Sequence, residues 1–496
     1  MDGPLRLDYA ALGTRVDRIA AFLSAQGVGA GDRIAALLPN GLPYLEAYFA
    51  AAGLGAVLVP LNFRLSPAEL RFILGDSGST WLIADPAMAG LAGAVLEEPG
   101  EVRGLLWAGA EVPPADLRLR QFALEALPAA AFAPRPVAET DIAQLYYTSG
   151  TTGHPKGVIL THRNVAIHAL AAVAELQLTD SDRWAHVAPM FHLADAWATF
   201  AITWVGGCHV MFPRFDPRET LAGIEREAIT LTNLVPTMLN LMVKHPDRGR
   251  FDYSALRLIL SGGAPIAPSV VAAIVETFGC EYVQTYGMTE TSPYLTLSIL
   301  KAHLRQLPAE QQMAYRAKTG RPFIAVELRV VDESGLPVPA DERTVGEIQV
   351  RGPTVTPGYW NRPEATAEAF VDGWLRTGDL AVLDSEGYVN IVDRRKDIII
   401  TGGEKVYSTE VEAVLYGHPA VLEAAAYGAP DPVWGEVVAA AVVLRPGVSA
   451  SGEELMAWCR DRLAGFKQVR RIRMLSELPR TGSGKILKRA LREDCQ

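Results

Sequence analysis

The first hundred residues alternate between two hydrophobic periodicities. Apolar positions at helical spacing predict helices over residues 9–28 and 42–52, each of which stops at glycines. Short apolar runs predict strands at residues 33–39 and 80–84, and Ser66-Pro-Ala-Glu69 between them is a capping box with proline at the first helical position. This β-α-β alternation predicts parallel sheets with helices packed on their faces, which is the α/β class.

A predicted strand then leads into a polar loop. Residues 86–140 are rich in Ala, Pro and Glu with weak periodicity, and we expect connecting and peripheral structure there. The apolar run at residues 143–147 predicts a strand that is followed at once by Gly and Thr residues. Because α/β proteins bind ligands at the carboxyl ends of strands, this loop is the first candidate binding site.

Length and composition limit the class of protein. The chain has 496 residues, of which 49% are hydrophobic, and a formal net charge of −10. It is therefore globular rather than disordered, with about three folding units expected from its length. The acidic balance disfavours a nucleic-acid partner, since such proteins carry a basic surplus that neutralises phosphates.

The cysteines and the apolar stretches exclude two further classes. Cysteines at positions 208, 280, 459 and 495 form no CxxC pair, which disfavours a structural zinc site or a disulfide framework. The start of the chain does not have the pattern of a signal peptide, and no run reaches about 18 apolar residues. We therefore expect a cytoplasmic protein without a transmembrane segment.

The charge changes near residue 393. Residues 1–392 hold 30 basic and 42 acidic side chains, whereas residues 393–496 hold 16 and 14. This change predicts a large acidic domain at residues 1–392 and a small, more basic domain at residues 393–496. On charge alone, an ordinary solvated surface explains the bias as well as a phosphate-binding surface does.

The strongest chemical signal is the string Tyr147-Thr-Ser-Gly-Thr-Thr-Gly-His-Pro-Lys-Gly157. It offers glycines for close backbone approach, hydroxyls as hydrogen-bond donors and one lysine, which is the chemistry of a phosphate cradle. It is not a Walker A loop, because Lys156 follows Pro155 and precedes Gly157. A P-loop NTPase is thereby disfavoured, and taken alone the string could equally be a simple turn.

Further motifs along the chain support a functional interpretation of this string. With them, the chain resembles the adenylate-forming superfamily of acyl- and aryl-CoA synthetases, peptide-synthetase adenylation domains and luciferases. The matching motifs are Thr148 to Gly157, Met190-Phe-His192, Tyr286-Gly-Met-Thr-Glu290, Gly346-Glu-Ile, Thr377-Gly-Asp379, Asp393-Arg-Arg-Lys396-Asp and Pro479-Arg-Thr-Gly-Ser-Gly-Lys485. They extend over nearly the whole chain.

The resemblance implies a fold and a reaction. The fold is α/β, with αβαβα-type subdomains in the large N-terminal domain, a small mobile α+β C-terminal domain and a hinge near Lys396. The reaction is that of an AMP-forming acyl-CoA synthetase: a carboxylate and ATP give acyl-AMP and pyrophosphate, and a thiol then displaces AMP. ATP, Mg²⁺ and CoA are the implied cofactors and co-substrates.

The resemblance also implies a nucleotide site. Tyr286 would line the adenine, Asp379 would accept hydrogen bonds from the ribose hydroxyls, and Thr151 and Glu290 would bind Mg²⁺. Without the resemblance, Asp379 would be an ordinary turn residue. The full set of implied ATP and AMP residues is Thr148, Ser149, Gly150, Thr151, Thr152, Lys156, Gly263, Ala264, Pro265, Gln284, Thr285, Tyr286, Gly287, Asp379 and Arg394.

The catalytic and acceptor residues follow in the same way. Lys485 would bridge the carboxylate and the α-phosphate during adenylation. His192 would lie between nucleotide and acyl pocket, although alone it would be a core histidine. The remaining implied residues are Thr289 and Glu290 for catalysis, and Lys396, Gly402, Gly403 and Glu404 for the hinge and CoA.

The acid substrate is the least specified part. The stretches expected to line the acyl pocket are mostly apolar or small, which favours a medium-to-long fatty acid first and an aryl acid second. Asp195 is the only acidic residue nearby that could pair with an amino-acid substrate. A luciferase-like oxygenase and a non-catalytic nucleotide sensor remain alternatives, and a second copy of the chain is a candidate partner.

Overall fold

The computed structural model describes residues 1–98, 100–113, 119–148, 155–263, 266, 268–480 and 486–493. The chain forms two compact units, Met1–Glu327 with Val350–Leu375, and Leu328–Gln349 with Arg376–Gln496. The predicted division into residues 1–392 and 393–496 stays a prediction.

The first sheet is built by the alternation that the sequence predicts. Its strands run in the order β5-β4-β3-β1-β2-β6-β7, and they are parallel except for β7, which is antiparallel to β6. The elements are α1 (Tyr9–Ala25), β1 (Arg33–Leu37), α2 (Leu42–Leu54), β2 (Val57–Pro60), α3 (Pro67–Ser77), β3 (Ser79–Ala84), α4 (Ala89–Leu96), β4 (Gly104–Trp107), β5 (Arg120–Ala123), β6 (Ile142–Thr148) and β7 (Lys156–Thr161).

Local chemistry explains where these elements start, with one correction to the prediction. The capping box before α3 is confirmed, because Ser66 N donates to Glu69 Oε2 at 2.8 Å and Glu69 N donates to Ser66 Oγ at 3.3 Å. The expectation of only peripheral structure at residues 86–140 is wrong for β4, whose four residues are all buried. Its short apolar run is a strand between β5 and β3, and the surrounding Ala, Pro and Glu residues mask its signal in the sequence.

The second sheet has the order β14-β13-β12-β11-β10-β8-β9. Strands β8 to β12 pair in parallel, and β13 and β14 are added antiparallel at one edge. The elements are α5 (His162–Leu176), β8 (Arg183–His186), α6 (Leu193–Val205), β9 (Cys208–Met211), α7 (Pro217–Arg226), β10 (Leu231–Asn233), α8 (Pro236–Val243), β11 (Leu258–Ser261), α9 (Pro268–Phe278), β12 (Glu281–Gly287), β13 (Tyr294–Leu297), α10 (Ala309–Ala317) and β14 (Arg321–Pro322).

Two five-stranded sheets complete the chain. The third has the order β15-β16-β18-β17 with β19 paired to β18, and the fourth has the order β21-β20-β23-β22 with β24 parallel to β23. The elements are β15 (Glu327–Val331), β16 (Gly346–Arg351), α11 (Pro363–Ala369), β17 (Phe370–Val371), β18 (Trp374–Leu383), β19 (Val389–Arg394), β20 (Ile399–Thr401), β21 (Glu404–Val406), α12 (Ser408–Tyr416), β22 (Val421–Asp431), β23 (Gly435–Leu444), α13 (Gly452–Arg460), β24 (Arg471–Met474) and α14 (Lys488–Glu493).

The predicted α/β class, with a large N-terminal part and a smaller C-terminal part, is confirmed. Among the described residues, no helix is both long and apolar enough to cross a bilayer.

Candidate functional site

The hairpin of β6 and β7 carries the two ends of the predicted phosphate loop. Thr148, the last residue of β6, pairs in antiparallel register with Lys156, the first residue of β7. The hairpin therefore brings the hydroxyl and the ammonium group to the same edge of the first sheet. Several predicted residues lie outside the described part of the chain, namely Ser149, Gly150, Thr151, Thr152, Ala264, Pro265 and Lys485.

A tyrosine that the sequence analysis missed connects Lys156 to Glu290. Lys156 Nζ lies 5.3 Å from the centroid of the Tyr359 ring, and the Tyr359 hydroxyl donates to Glu290 Oε1 at 2.9 Å. Burial and the neighbouring Glu290 carboxylate raise the pKa of Tyr359, so the hydroxyl remains protonated as a donor. Glu290 is only 7% exposed. The lysine and the carboxylate predicted from separate motifs thus share one neighbour.

Tyr359 reaches this position because its segment runs beside β7. Trp360 N donates to Gly157 O at 2.8 Å, and Ile159 N donates to Gly358 O at 3.1 Å. These backbone bonds align residues 358–360 with the strand that starts at Lys156. The local sequence around Tyr359, Gly358-Tyr-Trp360, is equally typical of an ordinary turn and does not by itself indicate a site.

The turn that presents Thr289 and Glu290 depends on a glycine. Both residues lie in a single 3₁₀ turn, Thr289–Thr291, directly after β12. A Cβ atom at Gly287 would lie 1.8 Å from the carbonyl oxygen of Pro293, so no other residue fits there without moving the backbone. Gly287 therefore fixes the close approach that turns the chain from Tyr286 to Glu290.

The predicted adenine walls lie at the ends of β11 and β12. The Thr285 hydroxyl donates to the last carbonyl of β11 at 3.2 Å, and Gln284 Oε1 accepts from Tyr282 at 2.5 Å, so both side chains are engaged inside the sheet. Gly263 has φ +86° and no atom within 4 Å of the position of a Cβ. Tyr286 is half-buried. An aromatic ring suits stacking on a flat base, and the role of Tyr286 toward adenine stays a prediction.

His192 immediately precedes α6, and its ring packs 4.7 Å from the ring of Phe191. Asp195, in the first turn of α6, is fully buried and bonded to His186 Nδ1 at 2.5 Å and to Trp184 Nε1 at 3.2 Å. The carboxyl group of Asp195 is therefore bonded to side chains of β8 and is not available to pair with a substrate amine.

In the second unit, Asp379 and Arg394 are cross-strand partners on β18 and β19. Arg394 Nε lies 3.2 Å from Asp379 Oδ1, and the side chain of Asp379 is buried. The Thr377-Gly-Asp379 motif lies within β18 rather than in a turn, and Gly378 has φ +73°, a conformation that favours glycine. The register thus explains how two predicted nucleotide residues from separate motifs meet.

Lys396, the predicted hinge, has an exposed side chain. Partial desolvation and the nearby Arg394 lower its pKa. Its carbonyl accepts from Arg492 Nη1 at 3.2 Å, and Arg492 Nη2 also lies 3.2 Å from Asp397 Oδ1. The hinge segment is therefore attached to the C-terminal helix α14.

A second attachment lies just before the hinge. Asp393 accepts from Ser408 N at 2.5 Å and from Ser408 Oγ at 3.0 Å, and burial raises its pKa. Lys488 Nζ, at the start of α14, donates to Ser408 Oγ at 2.5 Å and lies 2.7 Å from Glu412 Oε1. Asp393, Ser408, Glu412 and Lys488 form a cluster, which we call the hinge cluster.

Gly402 and Gly403 form the two-residue turn between β20 and β21, with Glu404 paired to Thr401. Their φ angles of +58° and +85° are those of a tight hairpin turn, which favours glycine at both positions. A Cβ at Gly402 would also lie 2.7 Å from the Trp434 ring. Local geometry thus accounts for both glycines without any ligand, and a role toward CoA stays a prediction.

The donor set fits a magnesium ion that arrives with a nucleotide. Within the described ranges, no group of three or more His, Cys, Asp or Glu side chains could hold a metal. Mg²⁺ at nucleotide sites is held by one or two carboxylates together with phosphate oxygens. Glu290, buried and oriented by Tyr359, supplies one such carboxylate.

Comparison with known proteins assigns the family. The chain matches the model of the AMP-binding enzymes over residues 2–360 and that of their C-terminal domain over residues 410–485. It is 42% identical to a feruloyl-CoA synthase of Amycolatopsis sp over 99% of this chain and 94% of that protein. It is 41% identical to a long-chain-fatty-acid–CoA ligase of Thermus thermophilus over 98% and 90%. The amide bond synthetase McbA of Marinactinospora thermotolerans matches with a TM-score of 0.86 and 32% identity over 98% and 94%.

These matches confirm the predicted superfamily and the predicted enzyme class, an AMP-forming acid–thiol ligase that uses ATP, Mg²⁺ and CoA. They leave the acid open between the fatty and aryl classes, since relatives named for each are 41% and 42% identical to this chain. The chain belongs to the family of AMP-binding enzymes, among its acyl- and aryl-CoA ligases.

Proposed function

We propose that the protein activates an apolar carboxylic acid as its acyl-adenylate and transfers the acyl group to CoA. The observation that carries the proposal is the contact chain from Lys156 through Tyr359 to Glu290. In this chain of contacts, the cation at the start of β7, within the phosphate-cradle string, and a buried carboxylate share one tyrosine. That combination suits a magnesium-bound triphosphate.

In the first half-reaction, a carboxylate oxygen of the acid attacks the α-phosphorus of ATP, and pyrophosphate leaves. Both reactants are anions, so their repulsion must be offset by positive charge. Mg²⁺ supplies part of that charge when it is bound with ATP. Lys156 would hold the phosphates, Tyr286 would stack on adenine, and Lys485 would bridge the carboxylate and the α-phosphate.

In the second half-reaction, the CoA thiolate attacks the acyl carbon of the mixed anhydride, and AMP leaves. The reacting groups of this step differ from those of the first step. We propose that the residues of the C-terminal domain that follow Lys396 rotate about it, so that a different surface of this domain faces the acyl-adenylate. Thr401 and Glu404 flank the two-glycine turn that would then approach the pantetheine arm. Asp379 and Arg394 would hold the ribose in both steps.

A medium-to-long fatty acid is our first proposal for the substrate. The buried face of α6, which starts directly after His192, is mainly apolar and includes Leu193, Ala196 and Ala198. Asp195 is bonded to His186 and Trp184, which disfavours an amino-acid substrate that needs a carboxylate for its amine. The relative from Thermus thermophilus supports this class by its name.

An aryl acid is the second proposal, because the same helix also meets a cluster of aromatic rings. The Trp197 ring centroid lies 5.7 Å from that of His168 and 5.2 Å from that of Tyr294. Flat rings of this kind suit a planar acid. The relative from Amycolatopsis supports this class.

One experiment separates these proposals from their alternatives. The purified protein is incubated with ATP, Mg²⁺, CoA and a panel of fatty and aryl acids, and pyrophosphate and acyl-CoA are scored separately. Formation of AMP, pyrophosphate and acyl-CoA with one class of acid supports the proposal and identifies the class. Stoichiometric ADP contradicts it.

The other outcomes point to other functions. Pyrophosphate without thioester indicates another acceptor, and an amine arm in the panel tests the chemistry for which McbA is named. Oxygen consumption with light indicates a luciferase-like oxygenase. ATP binding without either product indicates a nucleotide sensor. A homodimer and a cytoplasmic location stay predictions.

A further inference from the structure

The segment that carries His192 is held by residues far away in sequence. Residues 187–192 connect β8 to α6, and Met190 and Phe191 within the segment are buried. The segment contains no regular secondary structure that would satisfy its own backbone groups, apart from a bond from His192 N to Pro189 O at 3.0 Å. Its conformation therefore depends on partners from other elements.

Asn40 supplies most of those partners. Its Nδ2 donates to His186 O at 3.0 Å and to Ala188 O at 2.8 Å, and its Oδ1 accepts from Met190 N at 2.8 Å. The side chain uses both amide hydrogens and one oxygen lone pair on one short stretch of backbone. Asn40 is 6% exposed, so water does not replace these bonds readily.

The carbonyl side of Met190 is held as well. The Tyr48 hydroxyl donates to Met190 O at 2.9 Å and lies 2.6 Å from the Tyr146 hydroxyl. Asn40 and Tyr48 thus bind the N–H and the C=O of the same residue. His192 follows two residues later, so the bonds that fix the backbone of Met190 also restrict the position of His192.

The far end of the segment is fixed by a buried contact between a carboxyl group and an imidazole ring. Asp195 Oδ2 lies 2.5 Å from His186 Nδ1, and His186 Nε2 lies 2.9 Å from His209 Nδ1. All three side chains are buried. The first turn of α6 is therefore attached to β8, the strand from which the segment departs.

We propose that Asn40 is a positioning residue for the acid substrate, acting through the segment 187–192 on His192 and the start of α6. This inference rests on the proposed function, in which His192 and α6 border the acid. Removing the carboxamide leaves the N–H of Met190 and the carbonyl of Ala188 without their partner, and the segment must move to find others. The carbonyl of His186 still accepts from Phe212 N at 3.1 Å. A displacement of about 1 Å at a binding group can lower the rate about 100-fold.

The test compares Asn40→Ala with Asn40→Asp. For Asn40→Ala we expect the KM for the acid to rise about ten-fold or more, with the affinity for Mg²⁺-ATP in the absence of acid unchanged within about two-fold. Asn40→Asp keeps the acceptor for Met190 N but loses the donors at neutral pH. Burial raises the pKa of such a carboxyl group, and its protonated form donates to one carbonyl. Lowering the pH should therefore restore acid affinity in Asn40→Asp relative to the wild type.

A second buried asparagine provides the matched control. Asn164 Nδ2 donates to Pro353 O at 2.7 Å and Val355 O at 3.0 Å, and its Oδ1 accepts from Thr161 N at 2.9 Å. This is the same pattern of three bonds, but it holds the segment that leads to Tyr359. Asn164→Ala should therefore weaken Mg²⁺-ATP binding rather than raise the KM for the acid.

Hydrogen exchange gives a readout that does not need turnover. The amides of residues 187–192 should exchange faster in Asn40→Ala and not in Asn164→Ala. Unchanged exchange in this segment overturns the inference even if the enzyme has no known acid. If exchange rises while the KM for the acid stays the same, or if both asparagine variants affect acid and nucleotide equally, Asn40 serves stability only. A wild-type protein that makes no acyl-CoA with any acid refutes the proposed function instead.

Discussion

The hydroxyl group of Tyr359 donates a hydrogen bond to Oε1 of Glu290 over 2.9 Å. The two residues are 69 positions apart in sequence, and the same tyrosine ring lies 5.3 Å from Lys156 Nζ. In the proposed reaction, Glu290 binds the magnesium ion and Lys156 the phosphates. Tyr359 would therefore orient the metal-binding carboxylate while its ring contacts the phosphate-binding cation.

Tyr359→Phe should weaken the binding of Mg²⁺-ATP because it removes the bond that orients Glu290. Loss of a group that holds a metal ligand typically lowers metal affinity about 10- to 100-fold. Calorimetric titration of Mg²⁺ in the presence of ATP measures the effect. Thioester formation from supplied acyl-AMP should change little, since the triphosphate is absent from that step.

The matched control is Tyr253→Phe, which removes another partly buried hydroxyl, the donor to Arg248 O at 2.7 Å. It should leave the Mg²⁺ titration unchanged. If the two variants behave alike, Tyr359 has no particular relation to the metal.

Asp379→Ala should weaken ATP binding, because a ribose without its charged acceptor loses a hydrogen bond that contributes about 1.5–3 kcal/mol. The substitution also leaves Arg394 without its partner at 3.2 Å. Asp379→Asn, which retains an acceptor, should lose less affinity than Asp379→Ala. Equal ATP affinity in all three proteins, measured by equilibrium binding, would remove Asp379 from the nucleotide site.

Lys485→Ala should slow pyrophosphate release and leave thioester formation from supplied acyl-AMP nearly intact. The reason is that Lys485 is proposed to act only on the carboxylate and α-phosphate of the first step. Separate assays of the two half-reactions measure the difference.

Lys396→Pro should have the opposite effect. Proline fixes φ near −65° and restricts the preceding residue, so a rotation at this position would be impeded. Thioester formation should then suffer more than adenylation, with circular dichroism confirming that the variant is folded. If both lysine variants lose both half-reactions to the same extent, one conformation serves both steps.

The protein should lose stability as the pH falls below about 6.5, in part because of His168. Burial lowers the pKa of His168 to about 3 and also lowers that of His209. Between pH 6.5 and 3 the unfolded chain therefore binds protons that the folded chain excludes. His168 therefore lowers the free energy of unfolding by about 1.4 kcal/mol per pH unit as the pH falls through that range, and this stability is fully present above it.

His168→Gln removes one of these groups and keeps an acceptor for Tyr294 N, which donates to His168 Nε2 at 3.3 Å. The slope of unfolding free energy against pH, from urea titrations at pH 6.5 and 5.5, should become shallower than in the wild type. Parallel slopes would mean that His168 takes up its proton in both states.

Local rules were sufficient wherever a contact forms between near neighbours in sequence. The capping box of Ser66 and Glu69 and the strand leading to Thr148 follow from residues within a few positions of each other. The roles of Tyr359 and Asn40 could not be predicted from local sequence. Tyr359 bonds to a residue 69 positions away, and Asn40 bonds to one 150 positions away. A tyrosine or an asparagine beside a glycine predicts a turn just as well, so only the packed sheets reveal these bonds.

The prediction of only peripheral structure at residues 86–140 missed β4 for a different reason. Its four residues, Gly104–Trp107, are too few to produce a periodicity, and their burial comes from parallel pairing with β3 and β5. Asp379 and Arg394, in contrast, were each predicted as nucleotide residues from their own motifs. Their pairing across β18 and β19 depends on a register that no motif contains.

The hinge cluster has a consequence for the energetics of rotation. Asp393 precedes Lys396, whereas Ser408 and Lys488 follow it, so a turn at Lys396 that carries the later residues away must break both bonds between Asp393 and Ser408. The cluster would act as a latch, and opening it would expose a carboxyl group whose pKa burial had raised. The newly solvated group would then release a proton more easily, so the balance between the two poses would shift toward the open latch as the pH rises.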